Sequence, residues 1–188
     1  AADVAEAMKT LNLDAAYVMG ISQGGMIAQW LVADFPEKVQ KIILAVTTAK
    51  PSQLARERIE HWQQLSQSGN FKHLMLDIAQ HSYTQKSYQK WRLLYNIIMG
   101  RLGRIKDGKR ITIQSQSCLE HNSREVLKEI QCPTFVLGAL EDDVIGVDGS
   151  KELAKAISGC QLLILKHSGH ALYEENKAFQ EAVCGFLN

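Results

Sequence analysis

The stretch AAYVMGISQGGMIAQWLVAD (15–34) decides the reading of this chain. Its first part, AAYVMG (15–20), is a short apolar run ending at a glycine, the pattern of a buried strand. Its second part, GGMIAQWLVAD (24–34), reads as a helix that Phe35-Pro36 stops. Between them stands Gly20-Ile21-Ser22-Gln23-Gly24, a G-x-S-x-G sequence in the strand-to-helix setting that gives the motif its meaning. A serine hydroxyl is a poor nucleophile and must stand on a sharp, exposed turn where a base can reach it. Gly20 and Gly24 bring no side chain to that crowded turn. The following helix aims its N-terminal dipole at the site, and the backbone N–H of Gln23 would donate to a developing oxyanion. An ordinary glycine-rich turn would look similar; the strand before it and the helix after it favour the nucleophile.

Upstream, ADVAEAMKTL (2–11) sets Val4, Met8 and Leu11 at helical spacing; downstream, KIILAV (41–46) reads as a second buried strand. Helix, strand, helix, strand predicts a parallel sheet with helices on its faces. Residues 52–128 then hold no convincing strand. Helices are expected at 52–67, 71–82, 85–102, 109–120 and about 123–128, with Gly69-Asn70 and Gly103 as punctuation. Leu93, Leu94, Ile97, Ile98 and Met99 form an apolar stripe, expected to be mostly core of this insertion. After Cys132-Pro133 the rhythm returns: a strand at TFVLGA (134–139), a helix at 148–157, a strand at QLLILK (161–166) and a last helix over 174–187. The expected organisation is an α/β body in two parts, 1–50 and 129–188, interrupted by a helical cap at 51–128.

A nucleophilic serine needs a base and an acid that orients it. Of six histidines, His61, His73 and His81 fall among polar neighbours in the insertion and are expected at the surface, and His121 lies near its end. His167 and His170 follow the last strand, on the rim where such sheets bind ligands. His170, after Gly169 and before the last helix, is the better placed, because His167 comes directly off the strand. The acid is expected from the loop after TFVLGA, which offers Glu141, Asp142 and Asp143.

Taken together, LNLDAAYVMGISQGGMIAQWLVADFPEKVQKIILAV (11–46), IQCPTFVLGALEDDVIGVDGSKELAKAI (130–157) and LLILKHSGHALYEENKAFQEAVCGFL (162–187) resemble the α/β-hydrolase family, specifically capped members such as lactonases, esterases and carbon–carbon bond hydrolases. The resemblance implies the order Ser, Asp, His found here. It implies that the acid is followed by any residue, two aliphatics and Pro or Gly, which Asp142-Asp143-Val144-Ile145-Gly146 fits with Asp142 as acid; Asp143 leaves one residue too few. It maps the family's Gly-His pair onto Gly169-His170. It also implies four strands and a helix ahead of the segment that opens this chain, with a loop that gives a second oxyanion donor. On that basis the sheet is expected to be N-terminally truncated, with an exposed edge at AAYVMG open to a second copy, and with low activity for the chain alone. Loss of one oxyanion donor costs about 10²–10³ in rate.

Composition narrows the class further. Net charge is +1 from 21 basic and 20 acidic residues, so nothing favours a nucleic-acid or membrane partner. Cys118, Cys132, Cys160 and Cys184 lack metal or redox spacing, and no secretory or membrane-length apolar run occurs, which points to the cytoplasm. No metal site, nucleotide loop or flavin fingerprint is found, so no cofactor is implied. The functional expectation is a serine hydrolase acting on a small ester, lactone or related carbonyl compound through Ser22, His170 and Asp142. The competing expectation is a truncated, non-catalytic relative serving as a binding or dimerising module.

Overall fold

The computed structural model describes residues 1–102 and 108–188, with side chains for all of these except 99–102. Met99 and Gly103, both singled out in the sequence, lie outside the described side chains and residues. Four strands, β1 (Ala16–Ile21), β2 (Val39–Ala45), β3 (Thr134–Ala139) and β4 (Gln161–Leu165), form one sheet in the order β1-β2-β3-β4. All three pairings are parallel. Parallel neighbours need crossovers, and these are α2 (Gln23–Asp34) from β1 to β2 and α7 (Val147–Ala156) from β3 to β4. Helix α1 (Ala2–Thr10) precedes β1. Between β2 and β3 lie α3 (Gln53–Gln67), α4 (Phe71–Ser82), α5 (Gln85–Leu102) and α6 (Lys109–Glu120). Short α8 (Leu172–Glu175) and α9 (Lys177–Leu187) close the chain.

Strand side chains alternate, so each strand feeds two cores. Ile42, Leu44 and Val136 pack with Ala28, Leu31 and Val32 of α2 and Leu153 of α7. Ile43, Ala45, Phe135 and Leu137 pack on the opposite face with Leu172 and Phe179. Every residue of β3 is buried, the mark of a strand covered on both faces. β1 lies at the sheet's edge, and Tyr17 and Met19 are exposed there. Lys41 reaches under Tyr17, 5.2 Å from its ring, while bonding to the Phe186 and Leu187 carbonyls.

Four sequence expectations need correction. The buried residues of α1 are Ala5 and Met8, and Val4 and Leu11 are exposed. The region expected to be helical over 123–128 is a turn followed by a 3₁₀ turn at Leu127–Glu129. Ser123 is held there by its N–H on the Ala49 carbonyl and its hydroxyl on Gln29, bonds that replace helical ones. The last helix is broken at Asn176, whose side-chain oxygen caps Ala178 N–H while its amide nitrogen bonds Lys166 O and Ser168 Oγ. Most of the described part of the α5 stripe is not core: Leu93, Leu94 and Ile97 are exposed, and Ile98 is half-buried. The buried anchor of α5 is aromatic, with Tyr88 stacked on Tyr95 and Tyr83 tilted against Tyr95 at 5.6 Å.

Candidate active site

The elbow forms because β1 must turn abruptly into α2. Ser22 sits between them with φ +52°, a conformation L-residues avoid and one that costs about 1–3 kcal/mol. The body holds it there. Ser22 N–H donates to Ala45 O (2.9 Å), extending the β1–β2 ladder, and Thr47 Oγ1 donates to Ser22 O (2.8 Å). A Cβ on Gly20 would lie 2.5 Å from Gly24 O, and one on Gly25 would lie 2.5 Å from the Thr47 side chain. The steric need therefore falls on Gly20 and Gly25, not on Gly24, whose Cβ would meet nothing within 4 Å. Beneath the turn, buried Gln29 donates to Gly25 O and Thr48 O and accepts from Ser123, pinning α2 to the loop after β2.

The histidine and the acid come from the loops after β4 and β3. His170 Nε2 lies 2.8 Å from Ser22 Oγ, and His170 Nδ1 lies 2.9 Å from Asp142 Oδ2. Asp142 is 7% exposed, and its other oxygen accepts the Val144 and Ile145 N–H groups at 2.9 and 3.0 Å. Burial by itself pushes this carboxyl up. The charge and hydrogen bond of His170, with the two amides, outweigh it and hold Asp142 below the usual carboxylate range. An ionised Asp142 can only accept, so Nδ1 carries the proton and Nε2 turns a lone pair to the serine hydroxyl. Gln23 opens α2, so its amide belongs to the first turn, where backbone N–H groups have no intrahelical acceptor.

The neighbouring candidates fall elsewhere. The Asp143 side chain is half exposed and bonds Arg58 and His81. Glu141 faces His167, whose side chain is almost fully exposed. His81, expected at the surface, is only 14% exposed and contacts both Asp77 and Asp143. His121 is buried, with Nε2 unpartnered; burial holds its pKa down against a hydrogen bond to the Thr48 backbone. Among the described residues, no group of three or more His, Cys, Asp or Glu side chains could hold a metal ion. No described helix is long and apolar enough to cross a membrane.

A model of the alpha/beta hydrolase fold matches residues 1–177. The chain belongs to that family. A 3-oxoadipate enol-lactonase of Acinetobacter baylyi is 28% identical over 195 residues, covering 96% of this chain and 67% of the relative. A monoacylglycerol lipase of Xenopus laevis is 23% identical over 175 residues, covering 88% of this chain and 52% of the lipase. The chain thus spans about half the length of the lipase and two thirds of the lactonase. The crystal structure of an alpha/beta hydrolase enzyme from a Medee basin deep-sea metagenome library shares the fold. It has TM-score 0.91 at 23% identity, over 98% of this chain and 69% of that one.

Proposed function

We propose that this protein is a serine hydrolase of small esters or lactones, with Ser22 as nucleophile, His170 as general base and acid, and Asp142 as the orienting acid. The observation that carries the reading is the unbroken relay Asp142 Oδ2–His170 Nδ1 and His170 Nε2–Ser22 Oγ, at 2.9 and 2.8 Å. Similarity to an enol-lactonase and a lipase supports acyl chemistry over other reactions of the fold. A serine at the elbow, where a carboxylate would be needed for displacement at an alkyl carbon, favours the same class.

The steps follow from the geometry. Ser22 Oγ attacks the carbonyl carbon as its proton passes to His170 Nε2. The carbonyl electrons move onto oxygen, which the Gln23 N–H and the N-terminal end of α2 stabilise. Asp142 stabilises the imidazolium without taking its proton. Collapse breaks the bond to the leaving group, which takes the proton from Nε2 and leaves an acyl-Ser22. Water, deprotonated by His170, then attacks the acyl carbon and releases acid and free serine. Breakage of a lactone by this route gives one hydroxy acid; breakage of an ester gives an acid and an alcohol.

The test is hydrolysis of p-nitrophenyl butyrate and dihydrocoumarin by the wild type and Ser22→Ala. The variant is expected to lose about 10⁶ of kcat with its fold intact, because the side chain is not part of the core. Wild-type rates retained by Ser22→Ala would overturn the assignment.

A further inference from the structure

The two loops that carry Asp142 and His170 both touch the same short piece of the insertion, residues 81–84 at the α4–α5 junction. On the acid side, His81 Nδ1 lies 2.6 Å from Asp143 Oδ2. Arg58 of α3 grips the same residue, with Nη2 on the carboxylate (2.9 Å) and Nε on the backbone carbonyl (3.1 Å). On the histidine side, the Ser82 carbonyl accepts Ala171 N–H at 2.8 Å. The Glu175 carboxylate accepts three donors: Gly169 N–H on one oxygen (2.7 Å), and Thr84 N–H (3.0 Å) and Thr84 Oγ1–H (2.7 Å) on the other. The contact is tight, since a Cβ on Gly169 would lie 2.6 Å from Ser82 O.

These bonds divide the histidine loop in two. Up to residue 168 it is tied to the body, where Glu141 N–H donates to Ser168 O and Asn176 holds Ser168 Oγ. Beyond it, the two amides flanking His170, those of Gly169 and Ala171, are spent on Glu175 and on Ser82. The imidazole has its own partners, but the backbone that aims it is held through the insertion.

We propose that Glu175 is a positioning residue, which joins the Gly169 amide to Thr84 and so makes the alignment of His170 depend on the helical insertion being in place. The proposal rests on the serine-hydrolase reading above. Its chemistry is specific to a carboxylate. Three donors converge on two oxygens, and both oxygens must accept; bonds to an ionised acceptor are also the stronger kind. An amide at this position must turn its NH₂ toward Gly169 N–H or toward Thr84, setting a donor against a donor. Glu175→Gln therefore breaks one arm of the link while keeping side-chain size.

The experiment measures the second-order rate of Ser22 phosphonylation by an alkyl fluorophosphonate in the wild type, Glu175→Gln, Thr84→Val and the double variant, each normalised to its folded fraction. It also follows the downfield proton of His170 Nδ1–H by NMR, with Ser22→Ala as the reference that keeps the His170–Asp142 bond. Glu175→Gln is expected to react about 10–100-fold more slowly, the penalty of a displaced catalytic group, and its Nδ1 proton signal should broaden or vanish. Thr84→Val should slow the reaction less, and the double variant should be no slower than Glu175→Gln, because both act through one link. A Glu175→Gln protein that reacts at the wild-type rate with the proton signal intact overturns the proposal. So does a loss that disappears on correction for folded fraction, which would make Glu175 structural only. A folded wild type that takes no label at Ser22 overturns the serine-hydrolase reading, and this proposal with it.

Discussion

The proposed nucleophile and its two proposed partners are held in different ways. The Ser22 backbone is fixed by the body of the fold: Ala45 O and Thr47 Oγ1 hold it, and Gly20 closes on Gly24 and Gly25 on Thr47. The insertion touches the following helix through the side chains of Gln23, on Gln114 O, and Gln29, on Ser123. Asp142 and His170 sit on loops whose outer bonds run to the helical insertion, through Arg58 and His81 on one side and through Ser82 and Thr84 on the other. The lesson is that a strained backbone can be held only by something rigid, and the sheet supplies that. The partners need orientation, and the insertion that lies over them shares in it.

The acid loop gives the largest test of this contrast. Asp142→Asn should lower turnover by about 10⁴, because an amide no longer forces the proton onto His170 Nδ1. Asp143→Asn should cost about tenfold or less, since Asp143 acts only through Arg58 and His81. Steady-state kinetics on the two variants decides; equal losses would erase the distinction between the acid and its anchor.

Next come the glycines of the elbow. Gly20→Ala forces a Cβ to within 2.5 Å of backbone and should cost about 1–3 kcal/mol of stability, read by urea denaturation. Gly24→Ala meets nothing and removes a helix-weakening glycine, so its stability should be unchanged or higher by up to about 1 kcal/mol. The reverse order would show that the turn is not held by the body as described.

The smallest effect concerns pH. The Asp142 carboxyl is held below its ordinary value of about 3.9, so its ionised form stabilises the native state. That contribution is complete above the unfolded value and is lost as pH falls through the lower, folded one. The melting temperature of the wild type should therefore fall more steeply below about pH 4 than that of Asp142→Asn, and the two curves should converge. Parallel curves would mean that Asp142 carries no such stabilisation.

The strand-and-helix rhythm and the elbow were legible in sequence because both are local. AAYVMG followed by ISQGG sets period, turn and helix start within residues 15–25. The meeting of the Ser22, acid-loop and His170 segments was legible through position, since each follows a predicted strand on the same rim, and the family resemblance then singled out Asp142 from Glu141 and Asp143. What escaped was through-space. Glu175 and Thr84 are 91 residues apart in the chain, and nothing around either announces the other. The stripe Leu93, Leu94, Ile97 looked like core because apolar spacing cannot tell a covered face from an open one; Tyr88 and Tyr95 supply the packing instead. His81 read as a surface residue because its partner Asp143 lies 62 residues away.

The most direct test of the central claim is peptide mapping by mass spectrometry after reaction with a fluorophosphonate. One adduct is expected, on the Ser22 hydroxyl, with labelling slowed by several powers of ten in His170→Ala. Labelling at another serine, or labelling of Ser22 at the same rate without His170, would contradict it.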